Sequence, residues 1–217
     1  MLPAFAASVL SGLFWLWYFN RYDQQREPWP LLGKCVLWGA LAVLPALIWE
    51  APFRGLLQSP RVLTTQILLS FLVVGLGEEA FKLLAAYLAA GLSPEFNQPI
   101  DGIIYAIAAA VGFSIVENIL YIRAFGLLAA PFRGSIASLA HIAFSGLAGY
   151  YLGKARFSSS KLDLLKGVGT AAFLHGLYDF LLIAHLASPL IIAVFMIAIH
   201  YFLLNAIHKA KKASLLR

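Results

Sequence analysis

Long apolar stretches dominate this sequence and restrict what it can fold into. Polar segments separate seven of them, at Leu2–Phe19, Leu31–Trp49, Val62–Ala90, Asp101–Ala124, Gly134–Gly153, Leu164–Ala184 and Pro189–Ile207. A helix needs about 20 apolar residues to cross the hydrocarbon core of a bilayer. The pattern therefore predicts an all-α, polytopic transmembrane helical bundle of about seven spans, in which residues 1–217 form a single domain.

Composition excludes the main water-soluble classes of protein. Hydrophobic residues make up 61% of the chain and charged residues only 12%, whereas soluble domains are about 25% charged. This leaves too little polar surface for a soluble enzyme or a disordered tail. The net charge of +6 comes from basic residues between the apolar runs, as in cytoplasmic loops, so we expect no nucleic-acid partner. A single cysteine, Cys35, excludes an intrachain disulfide.

The basic residues between the runs are unevenly divided between the two sides of the predicted membrane. One side has four, at Arg54, Arg61, Arg123 and Arg133, and the other side has eleven. The excess predicts a cytoplasmic C-terminus and an external N-terminus. We expect the first run to be a retained helix rather than a cleaved signal peptide, because no basic segment precedes it.

Several ionisable residues lie inside the apolar runs. They are Glu78, Glu79, Lys82, Glu117, His141, His175 and Asp179. A charged side chain at the centre of a membrane helix costs about 2.5–3.5 kcal/mol, so these residues must face one another or a wet cavity. Glu78 and Lys82 are four residues apart, as are His175 and Asp179, and each pair shares a helix face.

Depth along the helices gives a second criterion for which residues meet. At about 1.5 Å per residue, Glu117 and His141 lie about 10 Å from the outer boundary. Glu78 lies about 24 Å deep if its helix begins at Val62. We therefore expect a later start, or a break near Gly75–Gly77, that brings the glutamates closer to the other residues.

The charge of this predicted cluster indicates a ligand. Four carboxylates face one lysine, which in a medium of low dielectric constant requires protonation or a bound cation. Carboxylate and imidazole ligands suit a zinc-like divalent ion. Such an ion lowers the pKa of a bound water to about 7, and a nearby carboxylate then accepts the proton. A proton- or ion-coupled transporter, or a non-catalytic membrane protein, is an alternative, because both also collect buried acids and histidines.

The order of motifs resembles a known family. An EExxK motif covers Glu78–Lys82, a DG pair with a tyrosine covers Asp101–Tyr105, and GFxxxEN covers Gly112–Asn118. His141 follows, and an HxxxD motif covers His175–Asp179. This series resembles the PrsW family of intramembrane proteases, which is related to the CAAX-prenyl endopeptidases and the Abi membrane proteases.

The resemblance implies hydrolysis of a peptide bond within or at the edge of the membrane. Its implied substrate is a single-span, membrane-anchored regulatory protein such as an anti-sigma factor, cut in the first step of regulated proteolysis. The implied location is the plasma membrane of a prokaryote. Carried onto this sequence, Glu78 and Glu79 are catalytic, and Glu117, His141 and His175 complete the site.

From these residues we expect a Zn²⁺ ion held by Glu117, His141 and His175. Among the remaining residues, Glu78 is expected to be the general base, with Glu79 as the alternative base or a fourth ligand.

The other predicted site residues support these groups. Lys82 balances the glutamate charge, Asp179 orients His175, and Asn118 donates a hydrogen bond to the oxyanion.

Two functions are alternatives to the metal-dependent protease that the resemblance implies. A CAAX/Abi-type prenyl-protein endopeptidase would use a glutamate-activated water, but that branch has FxxxH where this chain has Phe113–Glu117 and HxxxN where it has His175–Asp179. A non-enzymatic ion-coupled transporter would be expected to show inverted repeats, which the sequence lacks.

Overall fold

The computed structural model describes residues 2–58, 62–126, 136–158, 160–184, 186 and 188–215. Nine α-helices are described: α1 Leu2–Asn20, α2 Trp29–Glu50, α3 Arg54–Gln58, α4 Leu63–Leu68, α5 Leu76–Ala90, α6 Asp101–Phe125, α7 Ser138–Ser158, α8 Lys161–Ile183 and α9 Pro189–Ser214. A 3₁₀ turn at Ala51–Phe53 joins α2 to α3. Strands are absent from the described residues, which confirms the all-α class.

Within the described residues, three helical segments are long and apolar enough to cross a membrane by themselves. They are Trp29–Leu57, Asp101–Phe125 and Pro189–Ser214, with 29, 25 and 26 residues. The other predicted runs are also helical where the structure describes them, while Gly134 at the start of the fifth run lies outside the described residues. Their membrane crossing and the orientation of the termini stay predictions.

The third apolar run contains an irregular segment just before the glutamates. A π-helix at Leu69–Gly75 joins α4 to α5, so the chain is helical without a gap from Leu63 to Ala90. The predicted later start or break near Gly75–Gly77 is therefore wrong, and the local irregularity is the π-helix that ends at Gly75. A Cβ added at Gly75 would lie 2.6 Å from the Ala172 carbonyl oxygen, and one at Gly176 would lie 2.7 Å from the Phe71 Cα. Both glycines therefore allow α8 to pack directly against the π-helix, as small residues do between membrane helices.

The centre of the bundle is α6, which packs against α1, α2, α5 and α7. Every residue from Asp101 to Ser114 is buried, because this half of the helix consists largely of small and branched apolar residues. Contact with α2 is close: a Cβ added at Gly39 or at Gly112 would lie 1.9 Å from a backbone oxygen of the other helix. The arrangement places the C-terminal half of α6, with Glu117, beside α5, α7 and α8.

Candidate active site

Glu79 makes three short polar contacts with side chains of the bundle. It lies in the first turn of α5 with an exposed fraction of 0%. Its Oε1 is 2.6 Å from the Lys82 Nζ and 2.9 Å from the His175 Nδ1, and its Oε2 accepts a hydrogen bond of 2.7 Å from the Ser145 hydroxyl. Glu79 therefore ties together α5, α7 and α8.

Lys82 extends this network to His141 and Glu117. The buried ammonium lies 2.8 Å from the His141 Nδ1 and 4.6 Å from the centre of the Phe113 ring. Because an ammonium group can only donate, His141 Nδ1 is the acceptor. The other ring nitrogen, Nε2, then donates to the Glu117 Oε2 at 2.7 Å. The chain from Glu79 through Lys82 and His141 to Glu117 fixes the orientation of the imidazole.

Glu78, His141 and His175 form a compact group of potential metal ligands. One ligand atom from each lies within 4.8 Å of the other two, and all three residues are buried. The Glu78 Oε2 is 3.8 Å from the His175 Nε2 and 3.9 Å from the His141 Nδ1, and the two imidazole rings meet edge to face at 5.2 Å. Two nitrogens and one carboxylate oxygen are a donor set that zinc and similar ions prefer.

A cavity of about 460 Å³ opens beside this group. Its lining includes four carboxylates, from Glu50, Glu78, Glu117 and Asp179, and both histidines. The rest of the lining is largely apolar, with residues such as Val43, Leu47 and Phe144. This combination of an apolar wall and a few converging polar groups is typical of a substrate site.

A second cavity of about 550 Å³ continues from the first along α2 and α6. Both cavities are lined by Leu47, Glu50, Leu57 and Tyr121. The two cavities therefore lie side by side and share part of their wall.

Five carboxylates and one ammonium surround the cavity and the network behind it. The acids are Glu50, Glu78, Glu79, Glu117 and Asp179, and the ammonium is that of Lys82. Such a surplus of acids in a largely buried site requires that some carboxyl groups are protonated or that a cation is bound. The predicted imbalance of charge is therefore present and larger than the motifs alone indicated.

The predicted site residues occupy two layers. Glu78, Glu117, His141, His175 and Asp179 line the cavity. By contrast, Glu79, Lys82 and Asn118 are completely buried behind it. The bundle thus brings all of these motifs together, but only the first layer is placed to meet a substrate.

Three of the predicted roles differ from the geometry that the structure shows. The compact ligand group contains Glu78 in place of Glu117. The carboxylate at His175 Nδ1 is Glu79, whereas Asp179 lies 3.5 Å from Nε2. The amide of Asn118 donates to the Ser138 hydroxyl at 2.9 Å, which directs it away from the cavity.

Glu50 and Ser145 were missed by sequence reasoning. Glu50 ends α2 and lines both cavities. It lies four residues after Ala46 and seven after Val43, so the shared helix face was a usable signal. Ser145 lies four residues after His141 on the same face, but its bond to Glu79 depends on helix packing that the sequence does not encode locally.

Comparison with known proteins identifies the family of this chain. A family described as "PrsW family intramembrane metalloprotease" matches residues 27–205. Protease PrsW of Geobacillus kaustophilus (strain HTA426) is 32% identical over 216 residues, which cover 97% of this chain and 93% of that protein. Protease PrsW of Bacillus subtilis (strain 168) is 30% identical over 217 residues, covering 98% and 96%.

A further relative and the solved structures complete the comparison. Protease PrsW of Clostridioides difficile (strain 630) is 32% identical over 202 residues, covering 88% of this chain and 82% of that protein. No solved structure matches the chain. The family match spans every motif that builds the cavity, from Glu78 to Asp179. The chain therefore belongs to the PrsW family of intramembrane metalloproteases and is a membrane-embedded peptidase.

Proposed function

We propose that this protein is a zinc-dependent endopeptidase of a prokaryotic plasma membrane that cuts a single-span membrane protein of the anti-sigma-factor kind. The observation that carries the proposal is the buried group of Glu78, His141 and His175 beside a cavity lined by further carboxylates. Membership of a protease family favours peptide-bond hydrolysis over ion transport, and the match to the PrsW family in particular favours this protease over a prenyl-protein endopeptidase.

Glu78, His141 and His175 are the residues that we assign to the metal, with Glu78 in place of Glu117. To bind the ion, the His141 Nδ1 would exchange its 2.8 Å hydrogen bond from the Lys82 ammonium for the metal. When bound, a divalent ion supplies the positive charge that acidifies a water molecule and polarises a carbonyl group. Glu79 supports the assignment because its carboxylate accepts from the His175 Nδ1 at 2.9 Å, so Nε2 is the nitrogen that a neutral His175 would offer to a metal. A carboxylate in this position is the usual partner of a metal-binding histidine.

Glu117 is the carboxylate that we assign as general base. It lines the cavity, its side chain is 15% exposed, and its Oε2 is held 2.7 Å from the His141 Nε2. Glu117 takes a proton from water, the oxygen adds to the scissile carbonyl carbon, and the carbon–nitrogen bond breaks. The proton then passes from Glu117 to the departing amine. Asp179, the neighbouring cavity carboxylate, is the second candidate for this proton transfer.

Lys82 and Ser145 are positioning residues in this scheme. Neither lines the cavity, but both bond directly to Glu79. They hold the Glu79 carboxylate ionised and fixed, so that His175 keeps one tautomer and one orientation.

The first experiment measures metal content and cleavage together. The purified, detergent-solubilised protein is analysed for bound metals beside three variants: His175→Ala, Glu78→Gln and Glu117→Gln. We expect near-stoichiometric zinc in the wild type, its loss in the first two variants, and its retention with loss of cleavage in Glu117→Gln. Asp163→Asn is the control, because it alters a buried carboxylate that pairs with Lys154 outside the cavity. This variant should keep both the bound zinc and the cleavage activity.

Two results would overturn parts of the proposal. Zinc retained in Glu78→Gln but lost in Glu117→Gln would exchange the ligand and base assignments. A folded wild-type protein that carries no metal after gentle purification, yet still cleaves, would refute metal dependence and leave a glutamate-activated water.

The substrate class is tested in liposomes. The protein is reconstituted with a single-span anti-sigma factor from the same genome, and fragments are identified by mass spectrometry. We expect one endoproteolytic cut with the wild type and none with Glu117→Gln. Cleavage that requires a prenyl group on the substrate would instead support the prenyl-endopeptidase alternative.

A further inference from the structure

A second group of buried acids lies at the other end of α6. Asp23 and Glu27 belong to the loop between α1 and α2, and Asp101 begins α6. Their exposed fractions are 3%, 5% and 0%. At about 1.5 Å per residue, Asp101 lies about 24 Å from Glu117 along the helix axis, so this group is separate from the candidate active site.

The three carboxylates converge on a common point. One oxygen from each lies within 4.8 Å of the other two. Among the described residues, no lysine or arginine forms an ion pair with any of them. Three buried carboxylates this close repel one another unless a positive charge or protons lie between them.

The hydrogen bonds at the group leave specific oxygens for a ligand. Asp101 Oδ2 accepts from the backbone N–H groups of Asn97 and Gln98 at 2.9 and 2.7 Å, and Asp23 Oδ1 accepts from that of Gln25 at 3.0 Å. The second oxygen of each aspartate, Asp101 Oδ1 and Asp23 Oδ2, is buried without a hydrogen-bond partner. Buried polar atoms that lack a partner are uncommon in native proteins and call for an explanation such as a bound ion.

Glu27, the third carboxylate of the group, is held by hydrogen bonds that involve Tyr105 and Asn20. Its Oε2 accepts a hydrogen bond from the buried Tyr105 hydroxyl, and its backbone N–H donates to the Asn20 side chain at 3.3 Å. The glutamate is thereby held in place rather than free to rotate into solvent. One proton shared between two carboxyl groups would satisfy only one of the two unpartnered aspartate oxygens, whereas a cation can contact both.

We propose that Asp23, Glu27 and Asp101 bind a hard divalent cation of the Mg²⁺ or Ca²⁺ class, which fastens the α1–α2 loop to the start of α6. All three donors are carboxylate oxygens, which these ions prefer, and no imidazole or thiolate favours zinc here. Water molecules complete the coordination shell of such ions at sites with few protein ligands. The site is structural and independent of the proposed proteolytic chemistry.

The test uses the full-length protein in detergent, treated with EDTA and then exchanged into chelator-free buffer. Mg²⁺ or Ca²⁺ is added while thermal unfolding is followed by intrinsic fluorescence, and bound metal is measured after gel filtration. We expect the melting temperature to rise by roughly 5 °C or more at saturating cation. In Asp23→Asn this shift is lost, while the zinc content measured before the EDTA treatment is the same as in the wild type.

Two controls make the outcome decisive. Asp163→Asn alters another buried carboxylate, one already bonded to Lys154 and Ser158, and should keep the full shift. Glu27→Gln provides a second variant of the site if Asp23→Asn does not fold, and the wild-type titration stands without either.

A shared proton would give the opposite pattern. In that case neither cation stabilises the wild type, and Asp23→Asn raises the melting temperature in EDTA because it removes a repelling charge and adds an amide donor. That result overturns the proposal. So does a cation-dependent shift that survives in both Asp23→Asn and Glu27→Gln, because the ion would then bind elsewhere.

Discussion

Replacing Gly112 by alanine should force α2 and α6 apart. The added Cβ would lie 1.9 Å from the Val36 carbonyl oxygen, whereas ordinary contact begins at 3.4 Å, so the helices must separate by about 1.5 Å. The obstacle is backbone, which cannot rotate away as a side chain can. Overpacking of this kind costs about 3 kcal/mol, equivalent to a fall of about 6–12 °C in melting temperature for a chain of this size.

Gly33→Ala is the matched control on α2. A Cβ at Gly33 meets nothing within 4 Å, and both substitutions gain about 1 kcal/mol of helix propensity, so the difference between the two variants isolates the steric cost. Thermal unfolding in one detergent, followed by tryptophan fluorescence, measures it. Melting temperatures within 2 °C of each other would refute the close contact between α2 and α6.

Three further predictions concern the buried polar groups. Ser145→Ala leaves one oxygen of the buried Glu79 without its 2.7 Å hydrogen bond; unfolding free energy should fall by about 1–3 kcal/mol, and a denaturant titration that shows no change would contradict this. Lys82→Met removes the ammonium that pairs with the buried Glu79 carboxylate and should lower the free energy of unfolding by about 3–5 kcal/mol. Gel filtration would show this as a loss of monodisperse protein. Ser70→Ala changes a buried hydroxyl without a partner and should leave the protein monodisperse. Burial, reinforced by the neighbouring carboxylates of Asp101 and Asp23, raises the pKa of Glu27 to about 8. A group whose pKa is raised in the folded state stabilises the protein fully at low pH, and this stabilisation is lost as the pH rises. In EDTA the melting temperature should therefore fall between about pH 4.5 and pH 8. A rise over that range would contradict the raised pKa of Glu27.

The helical pattern of the chain follows from local information. Apolar runs long enough to span a bilayer predicted each long helix, and four-residue spacing placed Glu78 beside Lys82, which the structure confirms at 3.3 Å. The same rule placed Asp179 near His175, where it lies 3.5 Å from Nε2. Such contacts depend only on helix geometry, so a sequence is sufficient to find them.

The division of roles within the site depends on packing between helices. Glu78 and Glu79 are adjacent and chemically identical, but successive helical residues point about 100° apart, so one faces the cavity and the other faces Ser145. Which one does so is set by the rotation of α5 against α7 and α8. The π-helix at Leu69–Gly75 directly precedes α5, and the local sequence does not predict where this π-helix ends.

The second acidic group illustrates the same limit. Asp23 and Glu27 lie four residues apart in a loop that reads as an ordinary polar connection, and Asp101 reads as the first acid of a helix. Only the return of the chain to the same end of the bundle brings them within 4.8 Å. Convergence of this kind spans more than seventy residues, beyond any spacing rule.

The burial of α6 has a consequence for the way the protein is made. Helices leave the ribosome in sequence order, so α6 is complete before any residue of α7 or α8 exists. Until then, the face that α7 later covers must rest against lipid or an insertion factor. At about 5–20 residues per second, that interval lasts several seconds. The face that α7 covers includes the small residues Gly102 and Ala106, and small residues of this kind let membrane helices pack closely once the partner helix arrives. The central helix of this bundle is thus made early, and it reaches its final packing only when the later helices have been made.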